Sequence, residues 1–135
     1  MVTFSLSYLG DLRCRNIHDP SGAVVVTDAP VDNHGLGQAH SPTDLVASGL
    51  GVCMLTVIGI IGRRDGIDLT GMTARVEKHM STDQPRRIVR IVVQITVPGA
   101  VPADRRAVLE RAAATCPVAS SLHPAIAQEL SFSWG

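Results

Sequence analysis

Two cysteines are the residues of this sequence best suited to covalent chemistry. Cys53 lies in an apolar stretch, and Cys116 stands directly before Pro117. A thiolate is a nucleophile, and the start of a helix, expected at Cys116, favours the thiolate form. Gly49 and Gly51 leave room for a small molecule or another backbone to approach the Cys53 sulfur. The simpler interpretation is a buried packing residue, which composition alone favours for Cys53.

The third cysteine and the five histidines indicate no metal site. The chain has no C-x-x-C pair and no H-x-x-x-H spacing, so the arrangements typical of zinc sites are missing. Cys14 is therefore interpreted as a core or surface thiol. His123, close to Cys116, is interpreted as a residue that orders the turn there.

A long helix must position Cys53. Ser41 can cap this helix, Pro42 suits its first position, and Asp44 lies in the first turn, where the helix dipole favours an acidic residue. The pattern predicts a helix from Pro42 to about Arg64, ended by an Asp-Gly turn.

The central part of this helix allows two interpretations. Residues 45–61 carry no charge, which puts them at the lower limit of the roughly 17–25 residues of a membrane span. Glycine, serine and threonine within the stretch favour the other interpretation, a helix buried on all sides in a globular fold. The chain is therefore expected not to enter a membrane.

Short strands and two smaller helical segments are predicted on either side of the long helix. Strands are predicted at residues 2–9, 12–17, 23–28, 72–80, 87–97 and 128–134. Between the last two strands, a helix is predicted at 102–114 and a helical turn through 122. A surface loop is predicted at 29–40. The order βββ-α-ββ-αα-β predicts an α+β fold with an antiparallel-rich sheet, in a single domain of residues 1–135.

Composition excludes several kinds of partner. Twelve basic and twelve acidic residues give a net charge of zero, and aromatic residues make up only 3% of the chain. Neither an electrostatic field nor a stacking platform for nucleic acid is therefore expected. No phosphate-binding glycine loop and no secretory signal is visible, so a cytoplasmic protein without a nucleotide cofactor is expected.

The two cysteine motifs together resemble those of the OsmC/Ohr family of osmotically inducible and organic hydroperoxide resistance proteins. The first is Ser41-Pro42-Thr43-Asp44-Leu45 followed by Gly49 and Cys53. The second is Cys116-Pro117-Val118 followed by Leu122-His123-Pro124. The resemblance spans nearly the whole chain and implies the OsmC-like fold, in which antiparallel-rich sheets wrap long central helices in an intertwined homodimer.

The resemblance also implies an activity, a cysteine-based hydroperoxide reductase in oxidative-stress defence. Cys53 would attack the peroxide and become a sulfenic acid, and Cys116 would condense with it to a disulfide that a dithiol reduces. No metal, flavin or haem is required. Organic, lipid-like hydroperoxides are the expected substrates, because an aliphatic pocket favours an apolar group.

An apolar setting disfavours a thiolate, so a cation is expected near Cys53. Family members use an arginine held by an acidic residue. Arg13 and Arg15 lie on one face of the second predicted strand, and Arg13 is the favoured candidate, while Asp44 is the acidic residue that matches best. Asp44 and Cys53 are nine residues apart, about 14 Å along one helix and on nearly opposite faces. Asp44 is therefore expected to support the partner subunit's site, which lies at the subunit interface of a homodimer.

A second function remains open on the sequence alone. A non-enzymatic member of the fold, sensing redox state or binding a small ligand, could keep both cysteines without efficient turnover. The aspartate at position 44, where many members carry glutamate, keeps this alternative open.

Overall fold

The computed structural model describes residues 1–135 and contains two compact units, Met1–Val46 and Ala47–Gly135. The longest helix, α1 (Pro42–Asp65), begins in the first unit and continues into the second. The predicted α+β class and the predicted order of strands and helices are confirmed. A single domain over residues 1–135 stays a prediction.

The N-terminal unit is a three-stranded antiparallel meander. Its strands are β1 (Phe4–Gly10), β2 (Arg13–His18) and β3 (Val24–Asp28), in the spatial order β1-β2-β3. One turn of 3-10 helix, Val31–Asn33, lies in the loop that follows. Many apolar side chains of this sheet are exposed in the single chain: Phe4, Leu6, Tyr8, Val24, Val25 and Val26.

The start of α1 is held by a reciprocal pair of hydrogen bonds. The backbone N–H of Asp44 donates to Ser41 Oγ at 3.1 Å, and the backbone N–H of Ser41 donates to Asp44 Oδ2 at 2.9 Å. This capping box satisfies two N–H groups near the helix start that have no partner in the helical ladder. The predicted helix start is therefore confirmed. The helix ends at Asp65, and Gly66 follows with a φ of +69°, the left-handed conformation that glycine adopts without strain.

The C-terminal unit contains a second three-stranded sheet. Strands β4 (Thr73–Met80) and β5 (Ile88–Val97) pair antiparallel, and β6 (Ala127–Trp134) pairs parallel with β5. The strand predicted at 87–97 is confirmed, and every second residue of β5 from Ile91 to Val97 is buried. These side chains share one core with the α1 residues Leu50, Met54 and Ile58.

Two shorter helices complete this unit, α2 (Ala103–Ala114) and α3 (Pro117–Ser121). Leu109 of α2 is buried, whereas Ala107 is exposed. The two arginines before Ala107 have partners. Arg105 forms an ion pair with Asp65, and the Arg106 guanidinium lies 5.4 Å from the centroid of the Trp134 ring.

The α1 helix buries only one side in the single chain. By length and composition this helix could cross a membrane. Its most apolar 18-residue segment has a mean hydropathy of 2.3, and 33% of that segment is buried. The core helix of a soluble protein passes the same test. On the uncovered side lie Val52, Thr56 and Ile60, each one helical turn from the next. One chain therefore covers one side of the helix, and cover for the other side by a second copy stays a prediction.

Candidate functional site

Two free thiols lie side by side in the C-terminal unit. Cys53 projects from the middle of α1 and is half-buried, whereas Cys116 immediately precedes α3 and is buried. The two side chains are close enough that Cys53 affects the ionisation of Cys116. The structure thus brings together the two cysteines that the sequence motifs single out.

Hydrogen bonds hold the segment that carries Cys116. Its Sγ accepts the backbone N–H of Ala119 at 3.4 Å, and Gln128 Nε2 donates to the Ala119 carbonyl oxygen at 3.1 Å. His123 Nδ1 accepts the backbone N–H of Ala125 at 3.0 Å, so this histidine does order the turn after α3. The Cys116 sulfur therefore has a fixed position.

The helix start was expected to lower the pKa of Cys116 and so favour its thiolate. This expectation was wrong, because the pKa of Cys116 is raised. Burial raises the pKa of the Cys116 thiol, and the neighbouring Cys53 raises this pKa further. The N–H of Ala119 acts in the opposite direction, yet the pKa remains raised overall. A sulfur this deeply buried loses more by desolvation than it gains from one N–H group at a five-residue helix.

This raised pKa predicts the pH dependence of Cys116. The Cys14→Ser/Cys53→Ser variant leaves Cys116 as the one thiol, and burial should still raise its pKa. We expect the midpoint of its alkylation rate against pH to lie above the value of about 8.5 for a free cysteine. The stability contribution of the neutral thiol is present below the unfolded pKa and is lost as the pH rises through the folded pKa.

Alkylation followed by mass spectrometry from pH 6 to 11 measures this midpoint. Poor access slows the reaction without moving the midpoint, and the same variant in urea serves as the unfolded reference. A folded midpoint at or below the unfolded one contradicts the prediction.

The two glycines beside Cys53 differ in what surrounds them. A Cβ atom at Gly51 would lie 2.6 Å from Cγ2 of Val76 in β4, so this glycine lets the helix and the sheet pack closely. A Cβ atom at Gly49 would meet nothing within 4 Å. Only Gly49 therefore leaves open space in the single chain, as the sequence suggested for both.

Cys53 lies at the border between the covered and uncovered sides of α1. Met54, next to it in sequence, is buried, whereas Val52 on its other side is 63% exposed. Successive helical residues are about 100° apart, so Cys53 lies between these two directions. Cys53 packs against the core and remains half-buried.

The two other predicted site residues belong to the N-terminal unit. Arg13 begins β2, and its Nε is buried without a hydrogen-bond partner. Asp44 takes part in the capping box of α1. Their predicted catalytic roles stay predictions. Cys14 is half-buried and lies opposite Tyr8 and Thr27 in the sheet, consistent with a packing residue.

Sequence reasoning missed Asp28, the last residue of β3. This carboxylate is only 1% exposed, and its Oδ1 has no hydrogen-bond partner. The nearby loop and the β1–β2 turn border an open pocket of about 490 Å³ that Arg13 also lines. An aspartate before a predicted loop is usually a solvated turn residue, so the sequence carried no signal of its burial.

The chain is similar to known proteins in sequence and in structure. Residues 35–131 match the family model described as OsmC-like protein. A structure from Psychrobacter arcticus 273-4, provisionally described as an osmotic stress induced and detoxification response protein, is 44% identical. The alignment covers 98% of this chain and 96% of that one, with a TM-score of 0.93. The comparison with curated protein sequences found no match.

Structures with lower identity share the fold. An organic hydroperoxide resistance protein OsmC from Legionella pneumophila is 17% identical over 97% of this chain and 96% of that one, with a TM-score of 0.76. An organic hydroperoxide resistance protein from Elizabethkingia anophelis, with bound thiocyanate, is 15% identical over 100% and 98%, with a TM-score of 0.77.

The fold and the two adjacent thiols define an α+β protein with a paired-cysteine site formed by α1 and the residue before α3. The chain belongs to the OsmC-like family.

Proposed function

We propose that this protein is a thiol-dependent peroxidase that reduces organic, lipid-like hydroperoxides in oxidative-stress defence. The observation that carries the proposal is the adjacency of two free thiols with different exposure, a half-buried Cys53 and a buried Cys116. The more accessible thiol meets the substrate, and the buried one reacts only within the protein.

In the first step the Cys53 thiolate attacks the terminal oxygen of the hydroperoxide. The S–O bond forms as the O–O bond breaks, and the departing alkoxide takes a proton to become an alcohol. Sulfur is oxidised by two electrons to a sulfenic acid, and the peroxide is reduced by two. Apolar core residues beside Cys53 favour a substrate with an apolar group.

In the second step the Cys116 sulfur attacks the sulfenic sulfur of Cys53. The S–S bond forms, the S–O bond breaks, and the hydroxyl group leaves as water with the proton of the Cys116 thiol. A dithiol reductant then returns both cysteines to thiols and is itself oxidised to a disulfide. The fixed position of Cys116 next to Cys53 supports this step.

The complete site is proposed to lie at the interface of a homodimer in the cytoplasm. Cys53 lies next to the uncovered face of α1. A second copy that covers Val52 and Ile60 would therefore lie beside this thiol. Arg13 is proposed as the cation that stabilises the thiolate. Asp44 is proposed to support the partner subunit's site, because it cannot reach Cys53 along its own helix.

Peroxide and thiol measurements on one sample test the activity. The reduced protein is mixed with an excess of an organic hydroperoxide and a dithiol, and peroxide consumption and free thiols are followed together. We expect many turnovers per chain, faster with an alkyl hydroperoxide than with hydrogen peroxide. Stoichiometric loss of thiols without turnover would instead identify the protein as a redox sensor and overturn the proposal.

A further inference from the structure

Arg13 and Asp28 occupy directly opposite positions on neighbouring strands. The β2–β3 register pairs their Cα atoms, at the beginning of one strand and the end of the other. Side chains at such positions project from the same face of a sheet, with Cβ atoms about 4.5–5.5 Å apart. A guanidinium and a carboxylate are therefore within reach of each other inside the N-terminal unit.

Each of these residues carries one buried polar atom without a partner. They are Arg13 Nε, whose N–H can only donate, and Asp28 Oδ1, a carboxylate oxygen that can only accept. Buried polar groups in folded proteins nearly always form hydrogen bonds. The chemistry and the register make each of these two atoms the natural partner of the other.

The aspartate is the fixed member of the pair. Its Oδ2 accepts the backbone N–H of Gln38 at 3.0 Å, and its own backbone N–H donates to the His40 carbonyl oxygen at 3.1 Å. Arg13 has a long flexible side chain that can adjust to it. Arg13 also lines the pocket of about 490 Å³, together with Asp11 and His34 as its other titratable residues.

We propose that Asp28 is the positioning residue for Arg13. Its Oδ1 accepts the Nε–H of the guanidinium, which leaves the two terminal nitrogen atoms directed at the pocket and available to negative charge. This inference rests on the proposed function, in which Arg13 stabilises the Cys53 thiolate. It assigns the orienting role to an acid within the same sheet, while the Asp44 carboxylate accepts a hydrogen bond in the α1 capping box.

The test uses Cys14→Ser/Cys116→Ser protein, in which Cys53 is the one remaining thiol. The rate of its alkylation by iodoacetamide is measured against pH. We expect Arg13→Ala to move the midpoint to higher pH, with the rate at pH 7 falling about tenfold for every pH unit that the midpoint moves. Asp28→Asn should move it in the same direction by at least half as much, and the double variant no further than Arg13→Ala alone.

Asp19→Asn is the matched control, because Asp19 is an exposed aspartate of the same unit. It should leave the midpoint unchanged. If Arg13→Ala also leaves it unchanged, the cation assigned in the proposed function is wrong. If Arg13→Ala moves the midpoint while Asp28→Asn behaves like Asp19→Asn, only the role of Asp28 is overturned.

A second measurement needs no Asp28 variant and covers the case in which Asn at this position prevents folding. In the unsubstituted, isotope-labelled protein, nuclear magnetic resonance should detect a scalar coupling across the hydrogen bond between Arg13 Nε and the Asp28 carboxylate carbon. The Arg13→Lys variant assigns the Nε signal. An assigned signal without this coupling, and with hydrogen exchange as fast as that of an exposed arginine, overturns the inference.

Discussion

Replacing Cys53 with serine is expected to reduce peroxide consumption to the rate measured without protein. A serine hydroxyl is not ionised at neutral pH and cannot replace the thiolate as the attacking atom. Cys14→Ser is the matched control and should retain full turnover, since Cys14 lies in the N-terminal sheet opposite Tyr8 and Thr27. Peroxide consumption under excess dithiol measures both variants.

The Cys116→Ser variant should behave differently from Cys53→Ser. It keeps the attacking sulfur, so one peroxide per chain should convert Cys53 to the sulfenic acid. A second peroxide should then oxidise it to the sulfinic acid, because no second thiol is present to form the disulfide. Mass spectrometry of the unsubstituted protein after one equivalent of peroxide should show a Cys53–Cys116 disulfide. Full turnover in both variants, or Cys14 in that disulfide, would falsify the assigned roles.

The second large effect concerns assembly. Sedimentation at low micromolar concentration should show one species of twice the 14.3 kDa chain mass. The uncovered face of α1 presents Val52 and Ile60, each 63% exposed, and a second copy of the same helix can cover them. The double variant Val52→Arg/Ile60→Arg should sediment as a monomer and lose peroxidase turnover, because two unpaired charges would be buried in the contact.

The control for this variant adds the same side chain elsewhere in the C-terminal unit. Ala107→Arg places an arginine on an exposed position of α2 and should leave both mass and turnover unchanged. A folded, active monomer of the unsubstituted protein at low micromolar concentration contradicts both the dimer and the shared site.

Local patterns predicted the secondary structure well because they depend on near neighbours in sequence. The alternation along β5 and the capping residues of α1 define those elements without reference to the rest of the fold, and both were observed. The parallel pairing of β5 with β6 was not predicted. It joins strands separated by two helices, and no local pattern encodes such a long-range partner.

The candidate site was predictable only in part for a related reason. The sequence motifs identify Cys53 and Cys116, and the structure brings them together. The raised pKa of Cys116 depends on how deeply the fold buries it, a quantity that the helix start alone does not determine. The burial of Asp28 likewise depends on how the following loop folds back, so that the backbone N–H of Gln38 donates to Asp28 Oδ2.

The exposed apolar side chains of the N-terminal sheet have a consequence for the newly made chain. Its outer strands are β1 and β3, and β3 contains three consecutive valines, Val24–Val26, all of them exposed. An uncovered edge strand rich in β-branched residues is a template for pairing with other chains and for aggregation. A chain that has not found cover for this sheet should therefore precipitate or be degraded.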